Sequence, residues 1–135
     1  MKATVIIPAY NEEQSIGQVL DEIPMKNVEE VLVIDNGSSD RTTEIAESHG
    51  AVVYHEPRKG YGNACQKGLA NMSPDSKIVV VLDGDHSDYP QDLSGILKPI
   101  LSGWADFVIG SRVMGHPRRE RCNGTSASAT CWPVP

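Results

Sequence analysis

Three short apolar runs limit the fold of this chain more than any other feature of its sequence. They lie within residues 3–8, 30–35 and 77–83 and are rich in valine and isoleucine. Unbroken runs of this kind are typical of strands buried on both faces, as in parallel sheets that helices cover. The segments between them show helical periodicity, so we predict an α/β fold built from strand–helix–strand crossovers.

Four segments between or after the strand patterns are predicted to be helices, and the first and last show apolar residues at helical spacing. Asn11 is placed to cap the first helix and Asp40 to cap the second. Gly68 is a weak point in the third, and Pro90 favours the start of the fourth. The predicted helices span residues 12–23, 41–48, 63–72 and 90–101, and two further strands span residues 51–54 and 105–109.

The run at residues 77–83 is predicted to be the central strand, and it leads into Asp83-Gly84-Asp85. Gly84 lets the backbone turn, so the two carboxylates can converge on one point. Converging carboxylates repel each other unless a cation lies between them, and a hard divalent ion that also carries phosphate oxygens suits them. An ordinary polar turn at the end of a strand is the alternative interpretation.

Other predicted strands also end on polar groups that belong at the same edge of the sheet. Residues 8–12 follow the first strand, and Asp35 ends the second. In open α/β sheets, ligands bind beyond the carboxyl ends of the strands. A dinucleotide site needs Gly-x-Gly-x-x-Gly after the first strand, and residues 8–13 contain no glycine, which excludes it. The same segment lacks the Gly-rich basic loop of a nucleotidyltransferase.

A glycine-containing loop at residues 60–62 has two interpretations with equal support. Arg58 and Lys59 precede it, so the loop could present backbone N–H groups and positive charge to a diphosphate. It could equally be a solvated turn.

Composition excludes several partner classes. The net charge is −6, which argues against a nucleic-acid groove. No apolar run is long enough to span a bilayer, and the chain begins with a strand pattern instead of a signal peptide. Cys65, Cys122 and Cys131 lack metal-ligand spacing and are typical of reduced thiols. We therefore expect a cytoplasmic protein.

Several motifs together resemble one known family. Val-Ile-Ile-Pro-Ala-Tyr-Asn-Glu at residues 5–12, Val-Ile-Asp-Asn-Gly-Ser-Ser-Asp at 33–40 and Asp-Gly-Asp at 83–85 are similar to the family 2 glycosyltransferases with the GT-A fold. Motifs at residues 59–64, 87–90 and 110–112 resemble its dolichyl- or polyprenyl-phosphate hexosyltransferase branch most closely.

The resemblance implies a Rossmann-like, three-layer GT-A domain with a mostly parallel sheet, incomplete at its C-terminus. It implies transfer of a hexose from a UDP- or GDP-linked donor to a polyprenyl phosphate, with Mg²⁺ or Mn²⁺ as cofactor, at the inner face of a membrane. An acceptor phosphate is already ionised at neutral pH, so metal and positioning would dominate catalysis. A nucleotide-sugar-binding module without turnover is the alternative.

The resemblance also implies roles for individual residues. Asp85 would hold the metal, and Asp83 would be its partner, facing the ribose or diphosphate; both are the predicted catalytic residues. Asp35 would accept a hydrogen bond from the base, and Arg112 would pair with a phosphate of the acceptor. His86 is interpreted as a hydrogen-bonding or exposed loop residue and not as a base. The predicted donor-binding residues are Pro8, Tyr10, Glu12, Asp35, Lys59, Gly60, Asp83 and Gly84.

The resemblance to the family is expected to end near Pro117. Residues 1–117 would form the donor-binding domain, and residues 118–135, which show no periodicity, would be a disordered tail. Codons permitted for residues 122–134 can be read in another frame as Gln-Arg-Leu-Gly-Asn-Val-Leu-Ala, which resembles the family segment expected here. A slip of the reading frame between Pro117 and Cys122 would explain the tail.

Overall fold

A computed structural model of the chain describes residues 1–111, and it contains a four-stranded parallel sheet with helices on both faces. The sheet order is β3-β2-β1-β4, which confirms the predicted α/β class. None of the helices within residues 1–111 has the length and apolar character needed to cross a bilayer. The elements are β1 (Ala3–Ala9), α1 (Ile16–Glu22), β2 (Val28–Asp35), α2 (Thr42–Ser48), β3 (Val52–His55), α3 (Tyr61–Asn71), β4 (Ile78–Val81) and, after a 3₁₀ turn at Pro90–Asp92, α4 (Leu93–Leu101).

Strand β1 contributes side chains to both hydrophobic cores, because its alternate side chains point to opposite faces of the sheet. Val5 and Ile7 are fully buried in a large core that also contains apolar residues of α1, α2 and α4. Ile6 is fully buried in a smaller core on the other face, where Ala64 of α3 packs against the sheet. The sheet is therefore the middle one of three layers.

The register of the strands brings their carboxyl ends together. Ala9 at the end of β1 lies opposite Asp35 at the end of β2, and the Asn36 N–H donates to the Ala9 carbonyl over 2.9 Å. On the other side of β1, the Leu82 N–H donates to the Ile6 carbonyl over 3.1 Å. Asp83 follows directly, so the predicted polar groups of three strands meet at one edge of the sheet.

The prediction of a central strand at residues 77–83, buried on both faces, is wrong. Strand β4 is the last strand of the described sheet, and it comprises only Ile78–Val81. Val79 is 38% and Val81 44% exposed, because α3 packs mainly on β1 and β2 on that face of the sheet. An apolar run shows that a strand forms, but the position of the strand depends on its tertiary pairing.

The predicted fifth strand at residues 105–109 is also wrong. No strand occurs in residues 102–111, the last part of the chain that the structure describes. The Trp104 and Ala105 amides lie 2.9 and 3.3 Å from the Pro99 carbonyl, so this segment begins by turning back on α4. Phe107 and Ile109 are 77% and 74% exposed, which shows that an apolar pattern alone does not place a segment in the sheet.

The first helix begins later than predicted, and Asn11 does not cap it. Helix α1 begins at Ile16, whereas Asn11 has a positive φ of 50° and accepts a hydrogen bond from the Ser39 N–H over 2.8 Å. The Asn11 side chain thus joins the loop after β1 to the loop after β2. The N-cap of α2 is Arg41 and not the predicted Asp40, and the Arg41 side chain makes no capping hydrogen bond. Asp40, one residue earlier, accepts the Thr42 N–H over 3.0 Å at the first residue of α2.

Helix α3 approaches the sheet closely at a glycine. A Cβ atom added to Gly68 would lie 2.5 Å from Cγ2 of Ile6, in the smaller core. Glycine has a low helix propensity, so Gly68 was expected to weaken the helix, but the structure shows that a small residue is required there. Gly62 lies in the same helix, and an added Cβ would meet no atom within 4 Å.

We expect Gly68→Ala to destabilise the fold by about 1–3 kcal/mol, because the added methyl group would overpack the contact between α3 and β1. Urea unfolding followed by circular dichroism measures the change. Gly62→Ala is the matched control and should stabilise the same helix by roughly 0.5–1 kcal/mol. Equal responses of the two variants would contradict the close contact at Gly68.

Candidate functional site

An open recess of about 330 Å³ lies at the carboxyl edge of the sheet. This volume is within the range of small-molecule sites in proteins. Six of the lining residues were predicted from the sequence as site residues, and four were not. The lining residues are Pro8, Ala9, Tyr10, Glu12, Asn36, Tyr61, Ala64, Asp83, Gly84 and Asp85.

Short contacts hold the Asp83-Gly84-Asp85 loop in the wall of this recess. The Ser15 hydroxyl, just before α1, donates to the Gly84 carbonyl over 2.8 Å. The Ser87 N–H donates to Oδ1 of Asp85 over 2.9 Å. The loop is therefore tied to the first helix and folded on itself, which fixes where its carboxylates lie.

The recess is acidic. Glu12, Asp83 and Asp85 line it, and its ten described lining residues include neither lysine nor arginine. Burial and then the negative charge of Asp85 raise the pKa of Glu12, despite a hydrogen bond from Ser15 that acts to lower it. Mutual repulsion between the carboxylates is therefore felt at this site, and a bound cation would relieve it.

The donor set fits a hard divalent cation that takes part of its coordination from a ligand. No group of three or more His, Cys, Asp or Glu side chains in residues 1–111 is arranged to hold a metal ion. Asp83 and Asp85 could supply one or two carboxylates, and Mg²⁺ sites commonly combine that number with water and substrate phosphates.

Asp35 lies next to the recess but does not line it. Its side chain is 7% exposed, and its two oxygens bind the Ser38 N–H and Nδ1 of His55, each over 3.0 Å. Burial acts to raise the pKa of Asp35, but the hydrogen bonds from Ser38, His55 and Gly37 outweigh it and keep the pKa below its ordinary value. Asp35 is therefore an ionised acceptor at neutral pH.

A second recess of about 320 Å³ adjoins the first, and the two share Tyr10 and Asn36. Its other lining residues are Lys59 and Gly60, both of which the sequence predicted as donor-binding. The Lys59 ammonium lies 5.8 Å from the centre of the Tyr10 ring, within the range of a cation–π contact. The structure thus brings the loop after β3 to the site formed by β1 and β4.

Two groups of this loop that the sequence offered to a diphosphate have partners within the protein. The Arg58 guanidinium donates two hydrogen bonds to the carboxylate of Glu56, and the Gly60 N–H donates to Oδ1 of Asn36 over 2.9 Å. Both groups are committed to holding the loop. Lys59 is the basic residue of this loop that borders a recess.

Sequence reasoning missed Asn36 and Tyr61 as site residues. Asn36 directly follows Asp35 at the end of β2, and Tyr61 begins α3 directly after Gly60. Each of them is adjacent in sequence to a predicted site residue, and this adjacency could have identified them. His86 does not line either recess; its Nε2 lies 2.9 Å from Glu22, in agreement with its interpretation as a hydrogen-bonding residue. Arg112 and the segment 118–135 lie outside the described residues.

The sequence pattern described as "Glycosyl transferase family 2" matches residues 4–128. The chain belongs to this family. The matched range includes the first part of the segment 118–135, and a domain boundary at residue 117 stays a prediction.

Curated relatives support the assignment of the chain to this family. The chain is 41% identical over 109 residues to an uncharacterized glycosyltransferase of Mycobacterium tuberculosis (strain ATCC 25618 / H37Rv), covering 81% of this chain and 48% of that protein. It is 29% identical over 128 residues to the UDP-N-acetylglucosamine–dolichyl-phosphate N-acetylglucosaminyltransferase of Methanococcus voltae, covering 81% and 51%. The chain thus spans about half the length of these relatives.

Solved structures share the fold. The chain is 34% identical to glucosyl-3-phosphoglycerate synthase from Mycobacterium tuberculosis, crystallised with Mn²⁺, UDP and glucosyl-3-phosphoglycerate. The TM-score is 0.67, and the match covers 75% of this chain and 40% of that one. Another crystal structure of the same synthase contains Mg²⁺ and UDP, with 34% identity, a TM-score of 0.67 and the same coverage. These matches confirm the predicted GT-A fold.

We expect Arg58→Met to make stability depend on pH differently from the unchanged chain. The hydrogen bonds of Arg58, first from its side chain and then from its backbone, lower the pKa of Glu56 to about 2. A carboxyl group with a lowered pKa adds stability when the pH is above its ordinary pKa of 4.5, and this contribution is lost as the pH falls toward 2. The variant should be less stable at pH 7, and the difference should narrow between about pH 4 and pH 2.

Urea unfolding at a series of pH values measures this difference. Arg41→Met is the matched control, because Arg41 and Glu44 form an ion pair whose side chains are 68% and 67% exposed. An exposed pair of this kind contributes little, so the control should follow the unchanged chain at every pH. A difference for Arg58→Met that stays constant down to pH 2 would count against the assignment.

Proposed function

We propose that this chain is the donor-binding part of a metal-assisted glycosyltransferase that moves a hexose from a nucleotide-diphosphate donor to a phosphate-bearing acceptor. One observation carries the proposal: Glu12, Asp83 and Asp85 line a recess at the edge of the sheet where α/β folds bind ligands. The diphosphate of the donor is an anion, which three carboxylates would repel. A divalent cation between them reconciles the site with its ligand.

Asp85 and Asp83 would hold Mg²⁺ or Mn²⁺, with the remaining ligands supplied by the diphosphate and water. When bound, the cation would neutralise the negative charge that builds up on the leaving diphosphate. The chain's own contribution would be to hold the loop that carries both acids, through the contact of the Ser15 hydroxyl with the Gly84 carbonyl and of the Ser87 N–H with Asp85. Support comes from the related synthase, which was crystallised with Mn²⁺ or Mg²⁺ together with UDP.

The nucleotide would occupy the side of the recess formed by β1 and β2. Pro8 and Tyr10 would contact the nucleoside, because Tyr10 is 52% exposed and its ring would offer a flat surface to a base. Asp35 would accept an N–H of a base such as uracil or guanine with its ionised carboxylate, and the base would share an oxygen with Ser38 or His55, which occupy both oxygens. Lys59 would lie near the phosphates together with Gly60.

The acceptor is proposed to be a polyprenyl or dolichyl-type phosphate. The relative from Methanococcus voltae, which carries dolichyl phosphate in its name, supports this choice. A phosphate acceptor is ionised at neutral pH and needs little help from a general base, and none of the described lining residues is a histidine. Arg112 would pair with the acceptor phosphate, and a lipid acceptor would bring the protein to the inner face of a membrane.

A second candidate function is donor binding without significant turnover. It is favoured by the site residues within 1–111, whose assigned roles concern the donor and its metal and not the acceptor. In this case residues 1–117 would be a donor-binding domain, and residues 118–135 would result from a slip of the reading frame. The encoding nucleotide sequence tests the slip, because one inserted or deleted base near codon 117 must restore a long open frame.

We expect Asp85→Asn to weaken metal-dependent binding of UDP or GDP. Loss of a charged ligand should weaken binding by at least about tenfold, since one charged contact contributes about 1.5–3 kcal/mol. Titration calorimetry with and without Mn²⁺ measures the effect. Asp75→Asn is the control, because Asp75 is exposed and lies at the opposite end of β4.

Three outcomes separate the proposals. Metal-dependent binding by the unchanged chain and by Asp75→Asn, weakened in Asp85→Asn, supports the donor site. Transfer of radiolabelled hexose to a short polyprenyl phosphate then distinguishes the transferase from the binding module. Equal binding with and without metal, or no loss in Asp85→Asn, would rule out the metal-assisted site.

A further inference from the structure

The amide side chain of Asn36 makes three hydrogen bonds to one loop. Its Nδ2 donates to the carbonyl of Glu56 over 2.8 Å and to the carbonyl of Arg58 over 2.9 Å. Its Oδ1 accepts the Gly60 N–H over 2.9 Å. These bonds join the end of β2 to the segment 56–60 after β3, so the loop is wrapped around a single side chain.

The backbone conformation of the segment 56–60 depends on these hydrogen bonds. Gly60 has a φ of 122°, a conformation that other residues rarely adopt, and it turns the chain from the loop into α3. At the other end, the Glu56 N–H donates to the Asp35 carbonyl over 2.9 Å. Lys59 lies between these two fixed points, and its carbonyl accepts a hydrogen bond from the Asn63 side chain over 3.0 Å.

Lys59 brings a positive charge to an acidic site. It borders the second recess and lies over Tyr10, which also lines the recess that contains the three carboxylates. Arg58, the neighbouring cation, is paired with the buried carboxylate of Glu56. The position of Lys59 therefore determines how much positive charge the loop presents to an anionic ligand.

We propose that Asn36 is a positioning residue that sets donor affinity through Lys59. It holds the loop in the bent form that places the Lys59 ammonium beside Tyr10, where the cation meets the phosphates of the donor. The inference rests on the proposed donor site and adds a determinant of affinity to it. Asn36 also lines both recesses, so a direct contact between its amide and the ligand is the competing explanation.

A double-mutant cycle separates the two explanations, because residues that act through one another have non-additive effects. The four proteins are the full chain, Asn36→Ala, Lys59→Met and the double variant. UDP and GDP in the presence of Mn²⁺ are the probes, and calorimetry gives the dissociation constants. If Asn36 acts through Lys59, each single change weakens binding by about tenfold and the double variant is no weaker than the weaker single one.

Two further variants keep the test sharp. Asn71→Ala is the matched control: its amide also donates to a backbone carbonyl, that of Lys67, over 2.8 Å, but it lines neither recess. It should bind both probes like the unchanged chain. Gly60→Ala leaves the Asn36 amide in place and strains the loop backbone, so it should lose the same affinity. It serves in place of Asn36→Ala if that variant does not fold.

The outcomes distinguish failure of this inference from failure of the proposed function. No binding of either probe by the unchanged chain overturns both. Binding that Asn36→Ala leaves intact overturns the positioning role alone, as do losses that multiply in the double variant. Hydrogen exchange supplies a readout independent of the donor: the Gly60 amide should exchange faster in Asn36→Ala, and unchanged protection would also overturn the inference.

Discussion

The parallel pairing of β1 with both β2 and β4 is the constraint on which the rest of the structure depends. Because the three strands run in the same direction, their carboxyl ends lie at one edge, and every loop that leaves them begins there. Ala9 lies opposite Asp35, and Leu82 bonds to Ile6 just before Asp83. Residues separated by up to about half the chain thus form one site.

Electrostatics and hydrogen bonding have opposite effects at this edge. Burial and neighbouring negative charges disfavour the ionised form of Glu12 and raise its pKa. Hydrogen bonds from Ser38 and His55 favour the ionised form of Asp35 and lower its pKa. The two carboxyl groups lie after neighbouring strands, yet their environments differ. Burial and repulsion govern the first carboxyl group, and hydrogen bonding governs the second.

The sequence allowed accurate prediction where local pattern decides the structure. Strands β1 and β2, the α/β class and the convergence of Asp83 with residues 8–12 follow from apolar runs and from the geometry of parallel sheets. The edge position of β4 and the absence of a strand at residues 105–109 did not follow, because pairing between distant segments decides them. Asn36 was missed for the same reason: its three partners lie 20–24 residues away.

The position of β4 affects how the protein behaves in concentrated solution. In residues 1–111, β4 hydrogen-bonds to β1 on one side, and no described strand pairs with its other side. Val79 and Val81 leave β-branched surface open there. Edges of this kind act as templates on which further chains add, and natural sheets usually block them with charge or proline. A lysine at either valine would place charge beside this edge and oppose the addition of a further chain there.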